Sequence, residues 1–328
     1  MLSRVANLMY WMARHLERAE NALRIVDVNT QLVLDAHMRV VTEARAWEPI
    51  IFASGDDKLY RELYKKTETD EPSVIDFVLF NPRNPNSVLS CISQARENAR
   101  CIREQLSNET WEQLNRLYLD LKGRTFADYQ KIGATEFLGR ARAGILLFYG
   151  VAASMLPRNE SWHFYELGRF LERTDNTSRL LDVKYFALLP SVTDVGSTID
   201  AIQWAAVLRS CSAFEAFRKS RRGQINAERV IDYLVLDEHF PRSIRYAIIQ
   251  AEESIRRITR DSDHHFSNAP SRALGRLRAD FDYTTFRDII NSGMHEWIDR
   301  LQVTITSIHS DIEKTFFFYE VADAKIVS

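Results

Sequence analysis

The sequence predicts an all-α protein: a helical bundle built from two tandem copies of one unit, 1–156 and 157–328, related by a pseudo-two-fold axis and packed as one globular body. Three observations carry this expectation. Gly (11) and Pro (8) are scarce among 328 residues, which argues against a turn-rich all-β chain and allows long helices. Apolar residues recur at helical spacing with charged faces between them. The chain also matches itself at a nearly constant offset.

The first helix is expected over 3–41, with Ser3 as its N-cap because a hydroxyl there can accept a free backbone N–H. Further helices are expected over 85–105, 125–155, 161–188, 241–260 and 283–318. Turn signals separate them at Ser54-Gly55-Asp56-Asp57, Asn81-Pro82-Arg83-Asn84-Pro85 and Asn268-Ala269-Pro270. Ser87, just after Pro85, marks a helix start, and Pro241 and Ser243 repeat it. The best strand candidate is 230–236, but it is short, and its twin 74–80 ends in a helix-stop pattern, so no sheet is expected.

The self-match begins in the first helix. Residues 10–28 and 165–183 agree at nine of nineteen positions: Tyr10/Tyr165, Arg14/Arg169, Leu16/Leu171, Glu17/Glu172, Arg18/Arg173, Asn21/Asn176, Arg24/Arg179, Asp27/Asp182 and Val28/Val183. The register continues, with Val74-Ile75-Asp76-Phe77 against Val230-Ile231-Asp232-Tyr233 and Pro85-Asn86-Ser87-Val88 against Pro241-Arg242-Ser243-Ile244. Gly133 and Glu136 find Gly293 and Glu296. Offsets stay between 155 and 160, which places the seam near Leu156-Pro157-Arg158-Asn159-Glu160.

Charge and cysteine content narrow the function classes. With 43 Lys+Arg against 45 Asp+Glu, a net charge of −2 lacks the excess of cations that displaces counterions from phosphates, so nucleic acid is not an expected partner. Cys91, Cys101 and Cys211 cannot build a disulfide framework, which fits a reducing compartment. The nearly apolar run 5–13 contains Asn7 and is followed at once by Arg14, Glu17 and Arg18. It is too short for a membrane span, and a soluble, cytoplasmic protein is expected.

The two copies share a polar stripe. At 100° per residue, Tyr10, Arg14, Asn21 and Val28 fall within about 40° of one line along the helix. Glu17 and Arg24 flank that line, and Met12, Leu16, Ala19, Leu23 and Val26 form the opposite face. The second copy repeats the stripe with Tyr165, Arg169, Glu172, Asn176, Arg179 and Val183. Its apolar side drifts (Ala19 to Thr174, Leu23 to Ser178) while the Arg-Glu-Asn-Arg side does not, so the polar face is expected to contact something specific.

Two readings fit that stripe. Arg14–Glu17 and Glu20–Arg24 can form local ion pairs worth roughly 0.2–0.5 kcal/mol each, or the two stripes can meet as a buried Arg–Glu network that sets register. Alternatively, Arg14, Arg18, Asn21 and Arg24, with Arg169, Arg173, Asn176 and Arg179, clamp a carboxylate or phosphate through the fork geometry of guanidinium. Glu17 and Glu172 would then orient those arginines or serve as acid/base groups. No metal is expected. Glu160-x-x-His163 has no counterpart in the first copy, Glu17-x-x-Glu20 and Glu172-x-x-Asp175 offer only carboxylates for Mg²⁺, and His264-His265 reads as a loop pair. The run Arg218-Lys219-Ser220-Arg221-Arg222 reads as a solvated face or a weak anion site. No dinucleotide, Walker, nucleophile-elbow or zinc-protease motif occurs, and no cofactor is expected.

The run 1–7 followed by Tyr10-Trp11-Met12-Ala13-Arg14-His15-Leu16-Glu17-Arg18-Ala19-Glu20-Asn21 resembles the start of the bacterial alpha-E family, named for its helices and its Glu-Arg motif. The stretch 84–100, Trp111-Glu112-Gln113-Leu114-Asn115 and the second motif Glu172-Arg173 are similar too, and the likeness runs to about residue 320. His15 and Leu8-Met9 depart from the pattern but leave the Arg-Glu-Arg core intact. The resemblance implies a helical component encoded beside, or fused to, a circularly permuted ATP-grasp protein, often with a transglutaminase-like protease homologue, in a system that makes or modifies peptide or amide bonds using ATP. It carries Glu17-Arg18 and Glu172-Arg173 over as functional candidates. Taken with the polar face that both copies keep, it leads to the expectation of an accessory or substrate-presenting component that docks the ATP-grasp enzyme, with an anionic small molecule or peptide as ligand. A stand-alone enzyme using Glu17 or Glu172, and a purely structural adaptor, are the alternatives.

Overall fold

The structure, a computed structural model, describes residues 1–36, 43–65, 69–187, 198–221, 223–261 and 265–318. All regular structure among them is helical. In chain order the helices are α1 (Ser3–Ala36), α2 (Glu43–Ser54), α3 (Asp57–Tyr64), α4 (Glu71–Ile75), α5 (Val88–Cys101), α6 (Asn108–Leu121), α7 (Phe126–Ile132) and α8 (Ala134–Met155). They continue as α9 (Glu160–Ala187), α10 (Thr198–Ser210), α11 (Phe214–Ser220), α12 (Ala227–Ile231), α13 (Ile244–Thr259), α14 (Ala269–Tyr283), α15 (Phe286–Asn291) and α16 (Met294–Ile312). π-helical turns extend α4 (Asp76–Phe80), α12 (Asp232–Leu236) and α16 (Glu313–Phe317).

Side chains set the boundaries. Ser87 and Ser243 N-cap α5 and α13 by accepting from Ser90 N and Tyr246 N, each satisfying a backbone donor that lacks an intrahelical partner. Thr125 with Asp128, and Thr285 with Asp288, close reciprocal capping boxes on α7 and α15. Gly133 (φ +95°) and Gly293 (φ +79°) then break the chain into a second helix, because only glycine enters that region without strain.

Several expectations are corrected. The spans 125–155 and 283–318 are not continuous helices but pairs divided at Gly133 and at Gly293. Ser3 lies inside α1: the Leu2 carbonyl accepts from Val5 N and Ala6 N, which puts the cap one residue earlier. The end of the expected first helix, 37–41, lies outside the described residues. The strand candidate 230–236 is helical, and its apolar run reflects burial all round (Val230, Ile231, Tyr233, Leu234 and Val235 are all buried), which periodicity cannot tell from a buried strand. Helices α2, α3, α4, α6, α10, α11, α12 and α14 fall outside the expected helical spans.

At the centre, α1 and α9 pack along each other, α5 lies on α1, and α13 lies on α9. Helix α8 also packs on α1, and α16 on α9. The approach of the central pair is close enough that a Cβ at Gly168 would lie 2.3 Å from the Tyr10 carbonyl oxygen. One continuous apolar cluster runs from Val5 to Ile312 and includes Met12, Leu16 and Ala19 of α1 with Leu167 and Leu171 of α9. Among the described residues, no helix is long and apolar enough to cross a membrane.

Candidate functional site

The two stripes meet at this central crossing, and they exchange partners. Arg173 of α9 donates to both oxygens of Glu17 on α1, through Nε at 2.7 Å and Nη2 at 2.9 Å. Arg18 of α1 donates to both oxygens of Glu172 on α9, through Nε at 2.6 Å and Nη2 at 3.1 Å. Each Glu-Arg dipeptide therefore gives its glutamate to the other's arginine. Arg14 Nε adds a third bond to Glu172 at 2.7 Å, and Tyr149 OH donates to Glu17 at 3.1 Å. The local pair Arg14–Glu17 is not formed, because Arg14 reaches across to Glu172; the local pair Glu20–Arg24 is formed.

Both glutamates are 1% exposed. Burial alone would push their carboxyls up. For Glu172 the guanidiniums of Arg18 and Arg14 outweigh it and hold the carboxyl at about 2. For Glu17, Arg173, Arg242 and Arg169 outweigh it and hold the carboxyl well below the usual carboxylate range. A carboxylate so weakly basic is a poor proton acceptor near neutral pH, so the geometry favours a positioning role for Glu17 and Glu172 over an acid/base role. The same pairing takes Glu17, Glu20, Glu172 and Asp175 as partners of guanidiniums.

The two sides of the crossing differ. On the Glu17 side, the loop before α13 sends Arg242 inward to Glu17 (3.5 Å) and Glu20 (3.0 Å). Arg173 Nη1 there donates to the Pro241 carbonyl at 3.1 Å. On the Glu172 side, the loop before α5 sends in Asn86, whose Oδ1 accepts from Arg18 Nη1 at 2.6 Å. The shorter side chain leaves a cavity of about 140 Å³ beside Arg18, Asn21, Glu172, Asn176 and Arg179. Ile25, Ile50 and Val78 add an aliphatic part to its lining.

The cavity thus gathers four of the eight binding candidates, Arg18, Asn21, Asn176 and Arg179, with Glu172. It leaves out Arg14, Arg24, Arg169, Arg173 and Glu17. Arg24 is buried against Glu20, and desolvation with the nearby Arg242 charge pulls its guanidinium well below its ordinary value. Arg169 lies over the Tyr149 ring at 4.6 Å and pairs with Glu166 at 3.0 Å. The Val183 side chain, Arg222 and His264 lie outside the described residues. Arg221 of the basic run is paired with Asp232 at 2.8 Å, and His265 is exposed.

Sequence reasoning missed Asp56, Asn84 and Asn86. Asn84 anchors its loop by donating to the Phe77 carbonyl (3.0 Å) and accepting from Asn86 N (2.9 Å). Asn86 Nδ2 in turn donates to both Asp56 oxygens at 3.0 and 3.1 Å. Burial raises the Asp56 carboxyl, against the Asn86 hydrogen bond and the charges of Arg18 and Arg179. The sequence marked these residues through the two turns that carry them, and Asn84 and Asn86 also through the 84–100 stretch and the self-match with 241–244, but none of these signals gave their destination.

Fold and site together define an all-helical protein whose central helices are locked by exchanged Glu–Arg pairs. The chain belongs to the Alpha-E family, described as a predicted alpha-helical domain with a conserved ER motif, and residues 1–317 match it. It is similar to an uncharacterized protein of Mycobacterium bovis and to two uncharacterized proteins of Mycobacterium tuberculosis strains. Each is 24% identical over 258 residues, covering 75% of this chain. The chain spans 28% of the length of these curated relatives. No solved structure matches the chain.

Proposed function

We propose that the chain is a helical accessory component of an ATP-grasp-dependent system that forms peptide or amide bonds, and that it presents an anionic substrate group at the α1–α9 crossing. Its partners in this reading are a circularly permuted ATP-grasp protein and a transglutaminase-like protein, in the cytoplasm. The observation that carries the presenting role is the cavity beside Arg18 and Arg179, where guanidinium donors not spent on Glu172, Asn86 or Asp175 remain for a ligand. Family membership supports the setting. The test is ATP turnover by the ATP-grasp partner in the presence of candidate substrates. Adding this chain should raise turnover and Arg179→Ala should abolish that gain; turnover unaffected by the chain overturns the role.

We also read the chain as two tandem copies, 1–156 and 157–328, packed as one body. Paired details support it: the N-caps Ser87 and Ser243, the capping boxes at Thr125 and Thr285, the glycines 133 and 293, and the π turns after α4 and α12. The buried Glu–Arg exchange favours a second reading, in which the stripe only locks the halves of a structural adaptor together. Glu172→Gln would then lower the melting temperature and leave partner turnover unchanged.

A further inference from the structure

We propose that the cavity at the Glu172 side of the crossing binds one small zwitterionic amino acid per chain, with its carboxylate toward Arg18, Asn176 and Arg179 and its ammonium toward Asp56. This rests on the presenting role and names its substrate class.

The carboxylate end follows from donors without acceptors. Arg18 has five N–H donors and commits three, two to Glu172 and one to Asn86. Arg179 commits Nε to Asp175 at 2.8 Å and rests its Nη1 against Gly55, where a Cβ would lie 2.8 Å away. Asn176 is only 7% exposed, and its Nδ2 has no partner. Leaving a buried donor unsatisfied costs about 1–3 kcal/mol. A turn of the side chain would bring this donor to a ligand oxygen in the cavity that Asn176 lines, and the two guanidiniums there suit an anionic oxygen pair.

Charge balance decides between a simple anion and a zwitterion. The lining carries Arg18 and Arg179 against Asp56, Glu172 and Asp175, and Arg14 shares Glu172 from outside the cavity. Three cations then answer three carboxylates. A phosphate dianion would add two uncompensated negative charges beside Asp56, and burying unpaired charge is costly. A zwitterion adds none. Its ammonium answers Asp56, whose carboxylate otherwise has the Asn86 amide as its side-chain partner.

Size and side-chain class follow from the remaining space. About 140 Å³ is close to the ~150 Å³ that holds a benzene-sized molecule, so an amino acid of alanine-to-valine size fits, with its aliphatic group toward Ile25, Ile50 and Val78. One site per chain follows because Arg242 fills the opposite side, bonded to Glu17 and Glu20.

Calorimetric titration of the full chain with alanine and valine, and with propionate, ethylamine and inorganic phosphate, tests this. Alanine or valine should bind at one site per chain, and the other three at least tenfold more weakly. Asp56→Asn should weaken the amino acid at least tenfold while propionate binds no more weakly than before, whereas Arg179→Ala should weaken both. Ala22→Leu, which fills the cavity from α1 without removing a charge, should abolish binding while the circular-dichroism melt stays cooperative. No binding of alanine or valine, two sites per chain, or no effect of Asp56→Asn overturns the proposal. Propionate or phosphate binding as tightly as alanine also overturns it but leaves anion presentation standing; the partner's ATP turnover judges that role separately.

Discussion

Arg173 is 5% exposed on its side chain and Arg18 is 26% exposed, and this difference ranks the two glutamates. Removing the charge of Glu17 strands a buried guanidinium, a loss of about 3–5 kcal/mol. Removing that of Glu172 strands Arg18, which water can partly rescue, and Arg14, which keeps its hydrogen bond to the Tyr10 hydroxyl at 3.3 Å. Urea denaturation should therefore show Glu17→Gln to be the more destabilising, and equal losses would mean that exposure does not govern the network. The pH dependence follows from the same neighbourhood. Burial, with Arg18 near His15 and Arg14 near His309, lowers both imidazoles from 6.5 to about 4. Between those values the unfolded chain holds protons that the folded chain does not, so stability falls as pH drops from about 6.5 to about 4. Glu172, lowered from 4.5 to about 2, contributes stability that is present above 4.5 and lost as pH falls toward 2. Urea midpoints measured from pH 7 to 3 should fall throughout. His309→Gln should flatten the upper limb and Glu172→Gln the lower.

Glycines separate the helical elements into those that touch backbone and those that do not. A Cβ at Gly168 meets the Tyr10 carbonyl, whereas one at Gly150 of α8 meets nothing within 4 Å. Gly168→Ala should destabilise by at least about 1–3 kcal/mol through overpacking, and Gly150→Ala should stabilise by about 0.5–1 kcal/mol through helix propensity. Thermal melts of the two variants should move in opposite directions, and a Gly168→Ala protein as stable as the parent would show that the crossing is looser than the geometry implies. At this scale the sequence was partly legible. The stripes and the caps Ser87 and Ser243 were readable because caps and periodicity are local. The breaks at Gly133 and Gly293 were not, since a lone glycine in a helical pattern can also continue the helix.

The core crosses the midpoint of the chain. Helix α1 buries Met12, Leu16 and Ala19 within a cluster that continues through Leu167 and Leu171 of α9, and Glu17 finds its bidentate partner, Arg173, 156 residues away. Residues 1–156 expressed alone should therefore lack a cooperative melt, and mixing them with 157–328 should restore one; a stable, cooperatively melting 1–156 would show that each half closes its own core. The full chain should unfold in a single urea transition, as a shared core requires.

The sequence by itself determined the helical class, the repeated Arg-Glu-Asn-Arg stripe and the family, because periodicity, caps and self-similarity are written in neighbouring residues. Only the tertiary structure decided what the stripes face. They face each other: Glu17 and Glu172 are each answered by arginines across the crossing, while Arg24 and Arg179 pair within their own helices. It also decided that one side of that crossing is open, because a loop places Asn86 there and Arg242 opposite. That choice depends on side-chain length at a point where distant segments meet, and no local pattern of residues encodes it.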